Sequence, residues 1–136
     1  SIHIRRGDYK NNYLHDICHR EYFFRAIEIM NLKLDYPIFF IFSDEIELAK
    51  EMLHGQENCI FANSMDTDIN HLYQISQCKH SIISNSSFSW WGAWLKKENP
   101  DNFTIAPNKW VSDIKMNNFY VNKCKLIPSN WITINV

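Results

Sequence analysis

The chain has 136 residues, 46% of them hydrophobic and 15% aromatic, with a formal net charge of −1. That apolar richness excludes a disordered chain, and the near-neutral balance excludes the basic footprint of a nucleic-acid binder. The length suits one domain with one core over residues 1–136, and no apolar run approaches the ~20 residues of a membrane-spanning helix.

Ser1 to Ile4 reads as a strand end. It runs into His3-Ile4-Arg5-Arg6-Gly7-Asp8-Tyr9. Arginine carries a permanent charge on a planar fork of donors that matches phosphate oxygens, and glycine lets the backbone approach a ligand closely. Three readings stand at this point: a diphosphate site at a strand's C-terminal edge, an ordinary strand-to-loop transition, and an Arg6-Gly7-Asp8 adhesion tripeptide. The chain begins with Ser1 inside this strand, as a piece of a longer protein would.

From Arg20 to Leu34, apolar residues recur at helical spacing and predict a helix. Pro37 restarts the chain, and the apolar run to Phe42 suits a strand buried on both faces of a parallel sheet. Ser43 or Asp44 is a suitable N-cap for a helix over Ile46–Leu53, while a carboxylate at this strand end is also placed where ligands bind in open α/β sheets. Cys59–Ala62 reads as a third strand, and a helix follows from Ile69 to near Cys78. Asp66-Thr67-Asp68 is read as acidic capping of that helix in preference to a metal-binding Asp-x-Asp. Ser81–Ser84 and Phe103–Ala106 read as the fourth and fifth strands. Met116–Val121 and Lys125–Ile134 are expected to pack in an arrangement the pattern does not specify. The alternation predicts an α/β fold: a Rossmann-like, mostly parallel sheet flanked by helices. Cys18, Cys59, Cys78 and Cys124 lack the spacing of a zinc site or disulfide scaffold and are expected to be reduced thiols.

Between the fourth and fifth strands lies Ser84-Asn85-Ser86-Ser87-Phe88-Ser89-Trp90-Trp91-Gly92-Ala93-Trp94-Leu95. Small hydroxyls and unpaired amides at a strand-to-helix junction make an anion site. Trp91, Ala93 and Leu95 are expected to pack in the core, with Gly92 permitting close helix–sheet contact.

Together these stretches resemble the α-1,2-fucosyltransferase family. His3–Tyr9 is similar to its first motif, Phe42-Ser43-Asp44-Glu45 to its middle acidic motif, and Gln77–His80 with Asn85–Trp91 to its last. Ala106-Pro107-Asn108-Lys109-Trp110 resembles the segment that follows. The resemblance implies the C-terminal, donor-binding half of a GT-B-like inverting glycosyltransferase that moves L-fucose from GDP-fucose to a galactoside hydroxyl of a glycan acceptor. It implies no metal or other cofactor. Carried over by motif, Arg5 takes the diphosphate with Arg6 in support. His3 and Asp44 contact the guanosine end, and Ser86, Ser87 and Phe88 close over the nucleotide. Asp8 is the nearest candidate base, although a carboxylate beside two arginines is a weak base and its plainer role is an ion pair. The rival readings are a sugar-nucleotide-binding half-domain without turnover, another nucleotide enzyme, and an adhesion protein. The second of these lacks a Gly-x-Gly-x-x-Gly or P-loop motif. Asn85-Ser86-Ser87 and Asn102-Phe103-Thr104 are glycosylation sequons. A glycan at the first would obstruct the proposed phosphate site. The expected location is therefore a bacterial-type cytoplasm, with peripheral membrane association, rather than a Golgi lumen.

Overall fold

The computed structural model describes residues 1–97 and 99–136. The apolar runs extend as β1 (Ile2–Ile4), β2 (Phe39–Ser43), β3 (Cys59–Phe61), β4 (Ser81–Ile82), β5 (Thr104–Pro107) and β6 (Ile132–Ile134). They form one parallel sheet in the order β3-β2-β1-β4-β5-β6. The register places Ile2 beside Ile41 on one side of the central strand and beside Ile82 on the other. Parallel neighbours need crossover connections, and helices provide them. These are α1 (Arg20–Lys33), α2 (Ile46–Met52), α3 (Asp68–Gln77) and α4 (Ser87–Trp94); a short α5 (Ile114–Asn117) and a π-helical turn (Asn118–Lys123) precede β6. This is the Rossmann-like α/β arrangement that the alternating pattern predicts.

The helical spacing of α1 places Tyr22, Phe23, Ala26, Ile27 and Met30 on one buried face. They pack with Ile2, Ile4, Phe39, Ile41, Ile82 and Ile105 of the sheet to form the main core. Leu34 closes the helix by leaving helical geometry while its amide still bonds the Met30 carbonyl. The Tyr22 hydroxyl donates to the Ile83 carbonyl at 2.7 Å, so the core helix also fixes the chain leaving β4. A smaller cluster of Ile83, Ala93 and Ala106 gathers Trp110, Ile127 and Trp131.

The structure corrects the reading of α4. Trp91 and Leu95 are 50% and 55% exposed, and the buried positions are Ser89, Gly92 and Ala93. Ser87 and Ser89 lie on opposite sides of the helix among its tryptophans, so periodicity marks no single apolar face. Small residues turn inward because α3 lies close: a Cβ at Gly92 would meet Ile75 Cγ2 at 2.5 Å. Gly92 thus permits a helix–helix approach rather than the expected helix–sheet one. Lys125–Ile134 contains a sixth strand, unforeseen because Ile132-Thr133-Ile134 is too short to carry a period. All four cysteines are free thiols. Among the described residues, no helix is long and apolar enough to cross a membrane.

Candidate functional site

The strand order reverses between β1 and β4. In open parallel sheets, ligands bind beyond the strand C-termini at such a point. Here the chain leaving β1 carries Arg5, Arg6 and Gly7, and the chain leaving β4 carries Ser84, Asn85 and Ser86. Ser84 joins them: its Oγ donates to the His3 carbonyl at 2.6 Å and accepts from the Arg5 amide at 3.1 Å. The two stretches singled out in the sequence therefore meet at one edge of the sheet.

The two arginines have different situations. Arg6 Nη1 donates to Asp16 Oδ1 at 2.6 Å, with both side chains mostly buried. Burial works to raise the Asp16 carboxyl, but the hydrogen bonds from Arg6 and the Asn11 amide outweigh it and hold it below the usual range. Arg6 is thus committed to the scaffold. The Arg5 side chain is 31% exposed and reaches Asp8 Oδ1 at 2.8 Å and Asp44 Oδ2 at 3.2 Å. Its guanidinium also lies 5.6 Å from the centre of the Tyr9 ring. Partly exposed ion pairs of this kind are weak and exchangeable, so the fork can be surrendered to an incoming anion.

Asp44 does not cap α2: Glu45 occupies the N-cap position without a side-chain bond, and Ser43 Oγ accepts from the Glu45 amide. Instead, Asp44 Oδ1 accepts from the Arg6 amide at 2.9 Å. A Cβ at Gly7 would collide with this carboxylate, so glycine is what allows the arginine turn to close on it. Asp44 pins that turn, and Asp8 sits in an ion pair with Arg5. Ahead of α3, Thr67 is the cap, accepting from the Asn70 amide; Asp68 lies in the first turn and Asp66 accepts from Gln74. Among the described residues, no group of three or more His, Cys, Asp or Glu side chains gathers as metal ligands would.

Ser86 is the extended N-cap residue of α4 and is buried; Ser87 is exposed. The first amides of α4 have no intrahelical acceptor and open beside the arginine turn, where a negative group is favoured. Phe88 packs against His3, with ring centres 5.0 Å apart. His3 itself is buried, its Nδ1 2.5 Å from Ser89 Oγ. It stands behind the site surface rather than on it. Asp16, which holds Arg6, had no signal in the sequence.

Burial, together with the charges of Arg5 and His71, pushes the His3 imidazole down to about 3. It therefore stays neutral when the unfolded chain, with a pKa near ~6.5, takes up a proton. The unfolded state then binds more protons, so stability falls as pH falls below that value. Between about pH 6 and about pH 5, above the main carboxylate range, His3 is expected to cost up to ~1.4 kcal/mol per pH unit. Urea unfolding of the wild type and of His3→Gln across this window measures it as the difference in slope, because His80, whose pKa burial also lowers, adds a slope of the same sign to both; equal slopes would refute it.

The family model for glycosyl transferase family 11 matches residues 1–135. An alpha-1,2-colitosyltransferase of Escherichia coli is 37% identical over 98% of the chain and 47% of its own length. The O-antigen biosynthesis glycosyltransferase WbnK of the same species is 31% identical over 98% of the chain and 44% of its own. Human galactoside alpha-(1,2)-fucosyltransferase 1 is 24% identical over 98% and 38%. The chain thus spans less than half the length of these relatives. No solved structure matches it significantly.

Proposed function

The chain belongs to glycosyl transferase family 11, and from that premise we propose that it serves the inverting, metal-independent transfer of L-fucose from GDP-fucose to a galactoside hydroxyl in α-1,2 linkage. It would supply the donor-binding half of a GT-B-like enzyme whose other half helps hold the glycan acceptor. One observation carries this reading: Arg5 presents an exchangeable guanidinium at the reversal of strand order, beside the opening turn of α4.

Transfer breaks the bond between the anomeric carbon and the β-phosphate oxygen. The leaving diphosphate gains negative charge while the sugar gains oxocarbenium character. Arg5, already in place, stabilises that charge most where water is excluded. Arg6 supports the turn through Asp16, and Asp44 holds its backbone. Ser87 and the α4 amides face the phosphates, Phe88 walls the nucleotide, and Ser86 shapes the turn between them. His3 acts through Ser89 and Phe88 rather than by touching guanosine. Asp8 acts as partner to Arg5; pairing with a cation makes it a poor base. The reading is set in a bacterial-type cytoplasm, with any membrane contact peripheral.

A second reading, in which the donor sugar is colitose, is favoured by the name of the 37% identical relative. Titration of the chain with GDP-fucose in chelator, followed by incubation with a β-galactoside and linkage analysis of the product, tests both. Binding with α-1,2 transfer supports the proposal. Binding without transfer favours a donor half-domain that needs its complement. Transfer from a GDP-colitose donor in preference to GDP-fucose favours the second reading. A folded chain that ignores every GDP-sugar overturns the proposal for this chain.

A further inference from the structure

The residues that would meet the donor sit on separate segments, and one buried residue joins the segments around them. Asn85 is 1% exposed, directly after the serine that bridges β1 and β4. Its Nδ2 donates to the His15 carbonyl at 3.0 Å and to the Trp110 carbonyl at 2.9 Å. Its backbone carbonyl accepts from the Tyr9 hydroxyl at 3.3 Å. Tyr9 in turn stacks on His15, with centres 4.8 Å apart, and lies beneath the Arg5 guanidinium.

We propose that Asn85 is the positioning residue of the donor site: its side chain ties the 13–18 loop, which carries the Asp16 partner of Arg6, to the segment after β5, and its backbone carbonyl takes the Tyr9 hydroxyl. The proposal rests on the donor reading above. Among side chains of this size, a primary amide alone offers two N–H donors from one planar group. Both are committed to carbonyls in part-buried bonds, so the match is one of type as well as of size. Aspartate keeps the size but faces those carbonyl oxygens with acceptors. Serine keeps a single donor on a shorter arm.

The test is calorimetric titration of GDP into the wild-type chain, Asn85→Asp and Asn85→Ser, with amide exchange recorded in parallel. Asn85→Asp is expected to weaken GDP binding at least ~10-fold at neutral pH, since two part-buried carbonyls lose their donors and face a carboxylate instead. Exchange should accelerate over residues 13–17 and 110–112 but not in β2 or β3. As pH falls towards about 5, the introduced carboxyl takes up a proton and regains one donor, so affinity should partly recover relative to the wild type. The wild type over the same range controls for Tyr9, His15 and Cys18, which face this position. General destabilisation would give no such recovery. A folded Asn85→Asp with wild-type affinity and exchange overturns the proposal. If Asn85→Asp does not fold, Asn85→Ser carries the same two readouts, and wild-type behaviour there overturns it. Failure of the wild type to bind GDP sinks the donor reading instead, while the exchange pattern still decides whether Asn85 anchors these segments.

Discussion

Alanine at position 5 is expected to lower sugar transfer by ~100–1000-fold, the usual cost of losing one preorganised donor to a developing negative charge. The expected loss is at the high end for a structural reason. Arg5 lies between Asp8 and Asp44, so removing it leaves two carboxylates unneutralised beside the place a diphosphate would occupy. The loss is then compounded by repulsion. Little of it should be stability, because these ion pairs are partly exposed. Arg5→Lys should recover only part of the rate, since a point charge cannot reproduce a fork that spans several oxygens. Initial rates at saturating donor, set beside melting curves, give the answer. Wild-type turnover in Arg5→Ala would remove Arg5 from the mechanism.

The largest expected effect on stability is at Tyr22, well away from the site. Tyr22→Ala should cost ~3–5 kcal/mol, as other large-to-small aromatic core substitutions do. For a domain of this size that corresponds to a fall in melting temperature of roughly 10–20 °C. Its ring is packed on all sides in the main core, and its hydroxyl occupies the Ile83 carbonyl. The alanine variant therefore leaves both a void and an unpaired carbonyl one residue before the serine that joins the two motif strands. Tyr22→Phe separates these effects: it keeps the packing and loses only the hydrogen bond, at about 1 kcal/mol. Equal destabilisation in the two variants would show that the void contributes nothing and would contradict this account.

Much of the scaffold was legible because its signals are local. The run from Phe39 to Phe42 and the helical face of Tyr22, Phe23, Ala26, Ile27 and Met30 each announce their element within a few residues. The two motif stretches announced themselves through residue types rare in a bare scaffold: paired arginines before a glycine, and serines crowded at a strand end. Partnership was not legible. Nothing near Asp44 in sequence indicates that it turns away from its own helix to hold the Arg6 amide, because that contact depends on how β1 and β2 lie side by side. Asp16 and Arg6 find each other across a loop with no period. The burial of His3 follows from its place in the central strand, which only the strand order reveals. On α4, a buried serine and exposed tryptophans invert the usual hydrophobic cue that would have separated its inner face from its outer one.

The strand order also has a consequence for how the molecule comes into being. The first strand of the chain is a central strand of the sheet, and one of its two neighbours is β4, whose first residue is Ser81. During synthesis, β1, β2 and β3 can associate early, but the other edge of β1 stays unpaired until β4 emerges. An open central edge is a template for mispairing with another nascent chain, and such long-range parallel closure is intrinsically slow. Ser84 and Asn85 arrive with that closure, so their bonds to the chain around the arginine turn form only then, after those of Asp16 and Asp44. On the reading proposed above, nucleotide binding would report completed folding, since a chain that held the donor would have its central strand paired on both sides.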